Sequence, residues 1–253
     1  MLTKALTCAY VLVVAVLACG QPLSPLVASL HLANVGTPQD LQDIAQTIST
    51  VSRIRVTGVD NATHDIRVSG SAEQIELAKW LVSELDQSTT AQVQPNSTKH
   101  EYLMPGTPAE VIRVFYLSRS ETPRDLQELM TLIRAVGNVS YIYPYYSRGA
   151  LSMRGTADQV GLTGWLLDAM NQPADVQAPA PPISRDYKLP GCELVRVFFL
   201  GRTITPQELE NITPALRSAR IVRSFHNSQR KAQVVRGTPT EVAIAERVIR
   251  EGR

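Results

Sequence analysis

One short pattern occurs three times along the 253 residues. A chain that repeats itself at fixed spacing folds as copies of one unit. The first copy holds Leu30-His31-Leu32, then Thr37-Pro38-Gln39-Asp40-Leu41, then Ser69-Gly70-Ser71-Ala72-Glu73-Gln74-Ile75. The second holds Val114-Phe115-Tyr116-Leu117, Thr122-Pro123-Arg124-Asp125-Leu126 and Arg154-Gly155-Thr156-Ala157-Asp158-Gln159-Val160. The third holds Val197-Phe198-Phe199-Leu200, Thr205-Pro206-Gln207-Glu208-Leu209 and Arg236-Gly237-Thr238-Pro239-Thr240-Glu241-Val242. From the Pro to the aligned Gly is 32, 32 and 31 residues, and the strand Leu precedes the Thr by five in every copy.

Each copy reads as strand, helix, strand, strand, helix. The apolar run before Thr-Pro is rich in β-branched and aromatic residues and predicts a buried strand. Thr-Pro-x-Asp/Glu predicts a helix start: the hydroxyl caps, Pro suits the first helical position, and the acid complements the helix dipole. Thr205 with Glu208 has the spacing of a full capping box. Leu41, Ile44, Ala45 and Ile48, like Leu126, Leu129, Met130 and Ile133, recur at three and four residues and give the helix one apolar face. Pro214 interrupts the third copy's first helix, so a kink or an early end is expected there. A hairpin of two strands follows, the aligned Gly is read as a sharp turn, and Ser71, Thr156 or Thr238 caps a second helix. Trp80 and Trp165 occupy aligned positions on that helix, and helix–sheet packing accounts for them better than ligand stacking.

The resulting fold class is α+β: three tandem β-α-β-β-α modules, each a small sheet with two helices packed on one face and each closing its apolar stripes on itself. The expected organisation is a signal peptide over 1–18, a tether over 19–27, module 1 over 28–87, a linker over 88–100, module 2 over 101–172, a Pro-rich linker over 173–184 and module 3 over 185–253. Tyr102-Leu103 and Tyr187-Lys188-Leu189 lie ahead of the second and third core strands and are placed to add an edge strand to each.

The N-terminus carries an address. Lys4 supplies a positive charge, Ala9–Leu17 an apolar run too short for an ordinary membrane span, and Ala18 a small residue for cleavage. Cys19 follows, and Val16-Leu17-Ala18-Cys19 resembles the lipobox of bacterial lipoproteins, with Cys19 as the residue that would carry lipid; cleavage by ordinary signal peptidase is the alternative. The expected location is therefore exported, in the periplasm or at the outer membrane. Of three Cys, only Cys192 lies in the body of the chain, so no internal disulfide framework is available.

The repeated pattern, with Thr-Pro-x-Asp/Glu-Leu opening helix one and Arg-Gly-Thr-Ala-x-Gln-Val opening helix two, resembles the short periplasmic N-terminal domains of bacterial secretins. The resemblance covers nearly all of the chain beyond the signal. It implies a ring-building module that packs side by side between subunits and contacts cargo or inner-membrane components. No long series of alternating strands corresponding to that family's pore-forming domain follows, so the expected role is an adaptor or scaffold, not a channel. Fold analogy does not fix function.

Charge is uneven. Residues 28–87 carry 4 basic against 8 acidic residues, 101–172 carry 6 against 7, and 185–253 carry 13 against 7. This gradient permits complementary attraction between unlike units or toward an acidic partner. The basic cluster Arg217, Arg220, Arg223, Arg230, Lys231 and Arg236 is the candidate polyanion contact, and binding of a polyanion or single-stranded nucleic acid through module 3 is the alternative function. Against it, the Tyr141, Tyr143, Tyr145 and Tyr146 cluster sits in a different unit, and an exported protein seldom meets nucleic acid. Enzyme chemistry has no motif to stand on. His31, His64, His100 and His226 form no metal-ligand spacing, and neither a nucleophile elbow nor a phosphate-cradling Gly loop is present. Asp40 and Asp125 are explained by helix capping. No catalytic residue, metal or cofactor is expected. The first reading is a protein-interaction scaffold, self-associating or joined to a secretin or pilus complex of the envelope, with a lipid tether as a possible membrane contact.

Overall fold

A computed structural model of the chain describes residues 25–87, 100–105, 109–117, 122–171, 183–201 and 204–251. It contains three antiparallel sheets and six α-helices in the order the repeat predicts. The first unit has β1 (Leu26–His31), α1 (Pro38–Thr47, prolonged by a π-type turn over Ile48–Ser52), β2 (Arg55–Asp60), β3 (Asp65–Gly70) and α2 (Ala72–Leu85). The second has β4 (Glu101–Leu103), β5 (Glu110–Tyr116), α3 (Pro123–Gly137), β6 (Tyr141–Tyr145), β7 (Ala150–Thr156) and α4 (Ala157–Met170). In the third are β8 (Ile183–Lys188), β9 (Leu194–Phe199), α5 (Pro206–Ser218), β10 (Ser224–Asn227), β11 (Ala232–Gly237) and α6 (Pro239–Glu251). Strand orders are β1-β3-β2, β4-β5-β7-β6 and β8-β9-β11-β10, so the three connectivities agree and β4 and β8 are the expected added edge strands.

The agreement extends to single residues. Every one of the six helices opens on a reciprocal capping box, not the third copy's first helix alone. Thr37 with Asp40, Thr122 with Asp125, Thr205 with Glu208, Ser71 with Gln74 and Thr156 with Gln159 each exchange hydroxyl and side-chain-oxygen bonds with the other's backbone N–H. Thr238 and Glu241 do the same at α6. Each box satisfies two of the four amides a helix start leaves unpaired. After each first helix the chain passes through a left-handed residue, Arg53, Asn138 or Arg220, and each hairpin turns through another, His64, Gly149 or Lys231.

Two expectations are corrected here. Gly70, Gly155 and Gly237 do not have positive φ. What they supply is room: a Cβ would stand 2.6, 2.7 or 2.8 Å from the capping oxygen of Gln74, Gln159 or Glu241. Pro214 does not end α5, which runs on to Ser218; the helix stops instead at the left-handed Arg220, where Ile221 N–H reaches back to the Leu216 carbonyl at 2.9 Å.

The third correction concerns the core. Each unit packs its two helices on one face of its own sheet, as predicted, but the apolar stripes do not close on themselves. Ile112, Val114, Tyr145 and Ala150 on the other face of the second sheet join the core of α1 and α2. Likewise Val195, Val197, Phe199, Ala232 and Val234 of the third sheet join the core of α3 and α4. The molecule is therefore a stack of alternating layers: sheet, helices, sheet, helices, sheet, helices. The two inner sheets and the two inner helix pairs are covered on both sides, and only the first sheet and the α5–α6 pair face outward. Each side chain fully buried this way contributes about 1.5–3 kcal/mol, so the joints are core, not incidental contact.

Candidate interaction surfaces

The joints between layers are built from repeated parts. Trp80 on α2 packs on Tyr102 of β4 with ring centroids 5.3 Å apart, and Trp165 on α4 packs on Tyr187 of β8 at 5.4 Å. Both tryptophans thus bind the next layer's edge strand, the packing role expected of them. Ten residues past the aligned Gly, where units one and two hold Trp, unit three holds the exposed Arg247. Among the described residues, Trp stands where another layer packs on the helix and Arg where none does.

Polar groups reinforce the first joint. His100 lies 2.6 Å from the half-buried Glu84 carboxylate, Tyr116 donates to the Glu84 carbonyl at 2.5 Å, and burial raises the Tyr116 pKa well above the ordinary phenol range. Asp43, 4% exposed, accepts from the Gln39 amide at 2.8 Å, and burial raises its pKa despite that bond. At the second joint the Arg236 guanidinium donates to the Val136 carbonyl at 2.9 Å, Arg230 to the Met170 carbonyl at 2.5 Å, and Ser228 N–H to Glu128 at 3.3 Å.

These bonds account for most of the predicted basic cluster. Arg230 and Arg236 hold module 3 to module 2, Arg236 and Arg223 also pair with Glu193, and Lys231 donates to the Ile204 carbonyl at 3.2 Å. Arg217 and Arg220 are exposed at the end of α5, beside the exposed Val222. The cluster is thus divided between a joint, a turn and a surface, and does not form one patch.

Part of the acidic excess of unit one is likewise used within the fold, while Glu73 and Glu76 on α2 are exposed. Asp40 and Asp43 are buried, Asp86 accepts from Ala33 and Asn34 N–H at 2.6 and 2.8 Å, and Asp60 accepts from Ala62 and Thr63. The outer face of the first sheet carries Val27, Ser29 and His31 of β1, Asp65, Arg67 and Ser69 of β3, and Arg55 and Asp60 of β2, so cations and carboxylates share it, with His31 3.2 Å from Asp65. Nothing in the sequence marked the Asp43 and His100–Glu84 sites, because local pattern does not reveal which layer will cover a helix.

Besides Val222, large apolar side chains surface on the two edge strands β1 and β4. Leu26 and Val27 on β1 are 54% and 70% exposed, and Leu103 on β4 is 70% exposed. Cys192 is an exposed free thiol in the turn between β8 and β9. Among the described residues no group of three or more His, Cys, Asp or Glu could hold a metal, and no helix is long and apolar enough to cross a membrane. The signal, the tether through Ser24 and Cys19 lie outside the described residues.

No family model and no curated protein matches the chain. Solved structures similar to it include Aeromonas hydrophila ExeD, at 12% identity and a TM-score of 0.21, covering 90% of this chain and 41% of that one. The Salmonella SPI-1 type III secretion injectisome basal body, with InvG, PrgH and PrgK, is similar at 18% identity and 0.21, covering 59% of this chain and 30% of that one. The pilotin–secretin AspS–GspD complex of ETEC is similar at 11% identity and 0.21, covering 90% and 37%. The chain spans less than half the length of each, and a TM-score of 0.21 carries no inference about role.

Proposed function

We propose that this chain is a non-enzymatic protein-interaction scaffold of the bacterial envelope, exported through its first 18 residues and tethered by lipid at Cys19. The observation that carries the reading is the use of the molecule's polar chemistry. The buried acids, the His100–Glu84 pair and four of the six clustered cations act as caps, turns and joints between layers, and where Lys231 lines a small cavity with Thr205, Glu210 and Ser228 it does so while donating to the Ile204 carbonyl. A stack that consumes both faces of its inner sheets has edges, a flank and two end faces left for recognition, and these surfaces suit protein partners. The secretin-like repeat pattern of the sequence fits this use.

Crosslinking in intact envelopes, followed by affinity purification and mass spectrometry, tests the proposal. The expected result is a reproducible protein complex, with the mature N-terminus found as lipid-modified Cys19. A chain recovered only as a free monomer overturns the scaffold reading, and an unmodified N-terminus overturns the tether.

A further inference from the structure

The three units are equivalent at the central strand and unequal beside it. Leu32, Leu117 and Leu200, each just past that strand, donate to the hairpin-turn carbonyls of His64, Gly149 and Lys231 at 3.0, 3.0 and 2.9 Å, so β1, β5 and β9 are the same strand in three copies. In unit two the outer edge of β5 is covered by β4, with Tyr102 opposite Ile112; in unit three β9 is covered by β8, with Tyr187 opposite Val195. Among the described residues nothing pairs with the outer edge of β1.

That edge is also unguarded. Exposed edge strands usually carry charges, Pro or a bulge that discourages pairing. The two added strands do, through Glu101 on β4 and Arg185, Asp186 and Lys188 on β8. From Leu26 to Leu30 there is no charge and no Pro, and β1 pairs with β3 without a register shift. Its Leu26 and Val27 are among the most exposed large apolar side chains described.

The chemistry of the vacant position differs from that of its sisters. In units two and three the central strand carries an Arg that pairs with an acid on the added strand: Arg113 with Glu101 at 3.1 Å, Arg196 with Asp186 at 2.6 Å. Four residues before the strand Leu, where those Arg stand, unit one has Ala28. A residue laid opposite meets a methyl group flanked by Leu26 and Leu30, so nothing selects for an acid there.

We propose that the outer edge of β1 is a docking site for one extended segment of a partner protein, uncharged where it faces Leu26 and Ala28, added as a fourth antiparallel strand. This rests on the scaffold reading and names its contact. The sister strands arrive from ten and eight residues upstream of the residue they cover, Tyr102 for Ile112 and Tyr187 for Val195. The same distance ahead of Val27, the counterpart of those two, falls on Leu17 to Cys19, at the end of the export signal. Cleavage after Ala18, as the scaffold reading has it, removes most of that segment and leaves the position to another chain.

The test is amide hydrogen exchange and NMR titration of the mature chain with the capped peptide Thr-Val-Thr-Val-Thr-Val and with a second peptide whose central Val is Glu. Outward β1 amides are expected to exchange freely alone, and to gain protection with the first peptide. Val27→Lys, at an exposed position that leaves the fold intact, is expected to weaken that binding about tenfold or more. Ala28→Arg should turn the preference toward the Glu peptide. The inference is overturned if the β1 amides are protected without peptide, if neither peptide binds there, if Val27→Lys changes nothing, or if that substitution dissolves a dimer, which would assign the edge to a second copy. Envelope crosslinking of Val27→Lys separates the two proposals. Partners retained unchanged sink the edge and spare the scaffold, whereas their absence even from the unsubstituted chain sinks the scaffold.

Discussion

The aligned glycines show how one atom's space can be a repeat's signature. Gly155 stands with no room for a methyl group, because the Gln159 oxygen that caps α4 would lie 2.7 Å from it and the Met153 methyl 3.3 Å. Gly155→Ala should therefore expel the capping side chain and cost about 1–2 kcal/mol in urea denaturation, the scale of a lost helix cap. The hairpin turns give an opposite case: His64 is exposed with φ of 55°, where unit two uses Gly149. A non-Gly residue there carries a steric cost of about 1–2 kcal/mol, partly offset by the entropy of Gly, so His64→Gly should stabilise the chain, and a lower midpoint would contradict the turn assignment. Asp43 makes the first joint pH-dependent. Burial raises its pKa in the folded chain, so the fold binds this proton more tightly than the unfolded chain does. Its contribution to stability is present below the ordinary Asp pKa and is lost as pH rises through the raised value. Asp43→Asn is expected to remove that segment of the stability-versus-pH curve, and an unchanged curve would assign the slope to other groups.

At the level of elements, the joint has one recurrent contact that can be measured by itself. Trp165 and Tyr187 belong to different units and touch through their rings. A double-mutant cycle with Trp165→Ala and Tyr187→Ala should give a coupling of about 0.5–1.5 kcal/mol beyond the single losses; additive losses would mean the rings are neighbours without a shared contribution. The succession of elements, helix starts and the added edge strands were all readable in the sequence, because caps and periodicity are local and three copies cross-check one another. The layering was not read, since an apolar helical stripe shows that a face is covered without showing by what. Its trace was present all the same. β5 and β9 run Val-Ile-Arg-Val-Phe and Leu-Val-Arg-Val-Phe-Phe, apolar on both faces, while β1 places Val27, Ser29 and His31 on the face opposite Ala28 and Leu30. Continuous apolar strands mark burial on both sides. The persistence of α5 past Pro214 has a related reason: local preference predicted a kink or an early end, yet Leu209, Ile212 and Leu216 are all buried in the third core and hold the helix on either side of it.

For the molecule as a whole, the ends of the stack differ from its joints, and that difference decides how it unfolds. Leu132, Leu162 and Leu166 are at most 1% exposed in the core that the second helix pair shares with the second and third sheets, whereas the α5–α6 pair turns Asn211, Ala215, Arg247 and Arg250 to solvent. Removing the third unit therefore uncovers a core surface, while the α5–α6 face is itself a polar one. Units joined this way are stabilised by their neighbours as in other linear arrays, and their unfolding couples through the joints. A chain cut after Gln172 should lose stability in the second unit, bind a hydrophobic dye and self-associate, whereas the full chain should melt in one transition seen alike by far-ultraviolet dichroism and by the fluorescence of Trp80 and Trp165. Arg236→Ala probes the same coupling more gently, since it removes a bond to the Val136 carbonyl and a pairing with Glu193 without cutting the chain. It should split that single melt, with the third unit released ahead of the first two. Three separate transitions in the unsubstituted chain, or a stable and soluble two-unit fragment, would mean that the layers are beads on a string and that their shared cores contribute little to holding them together.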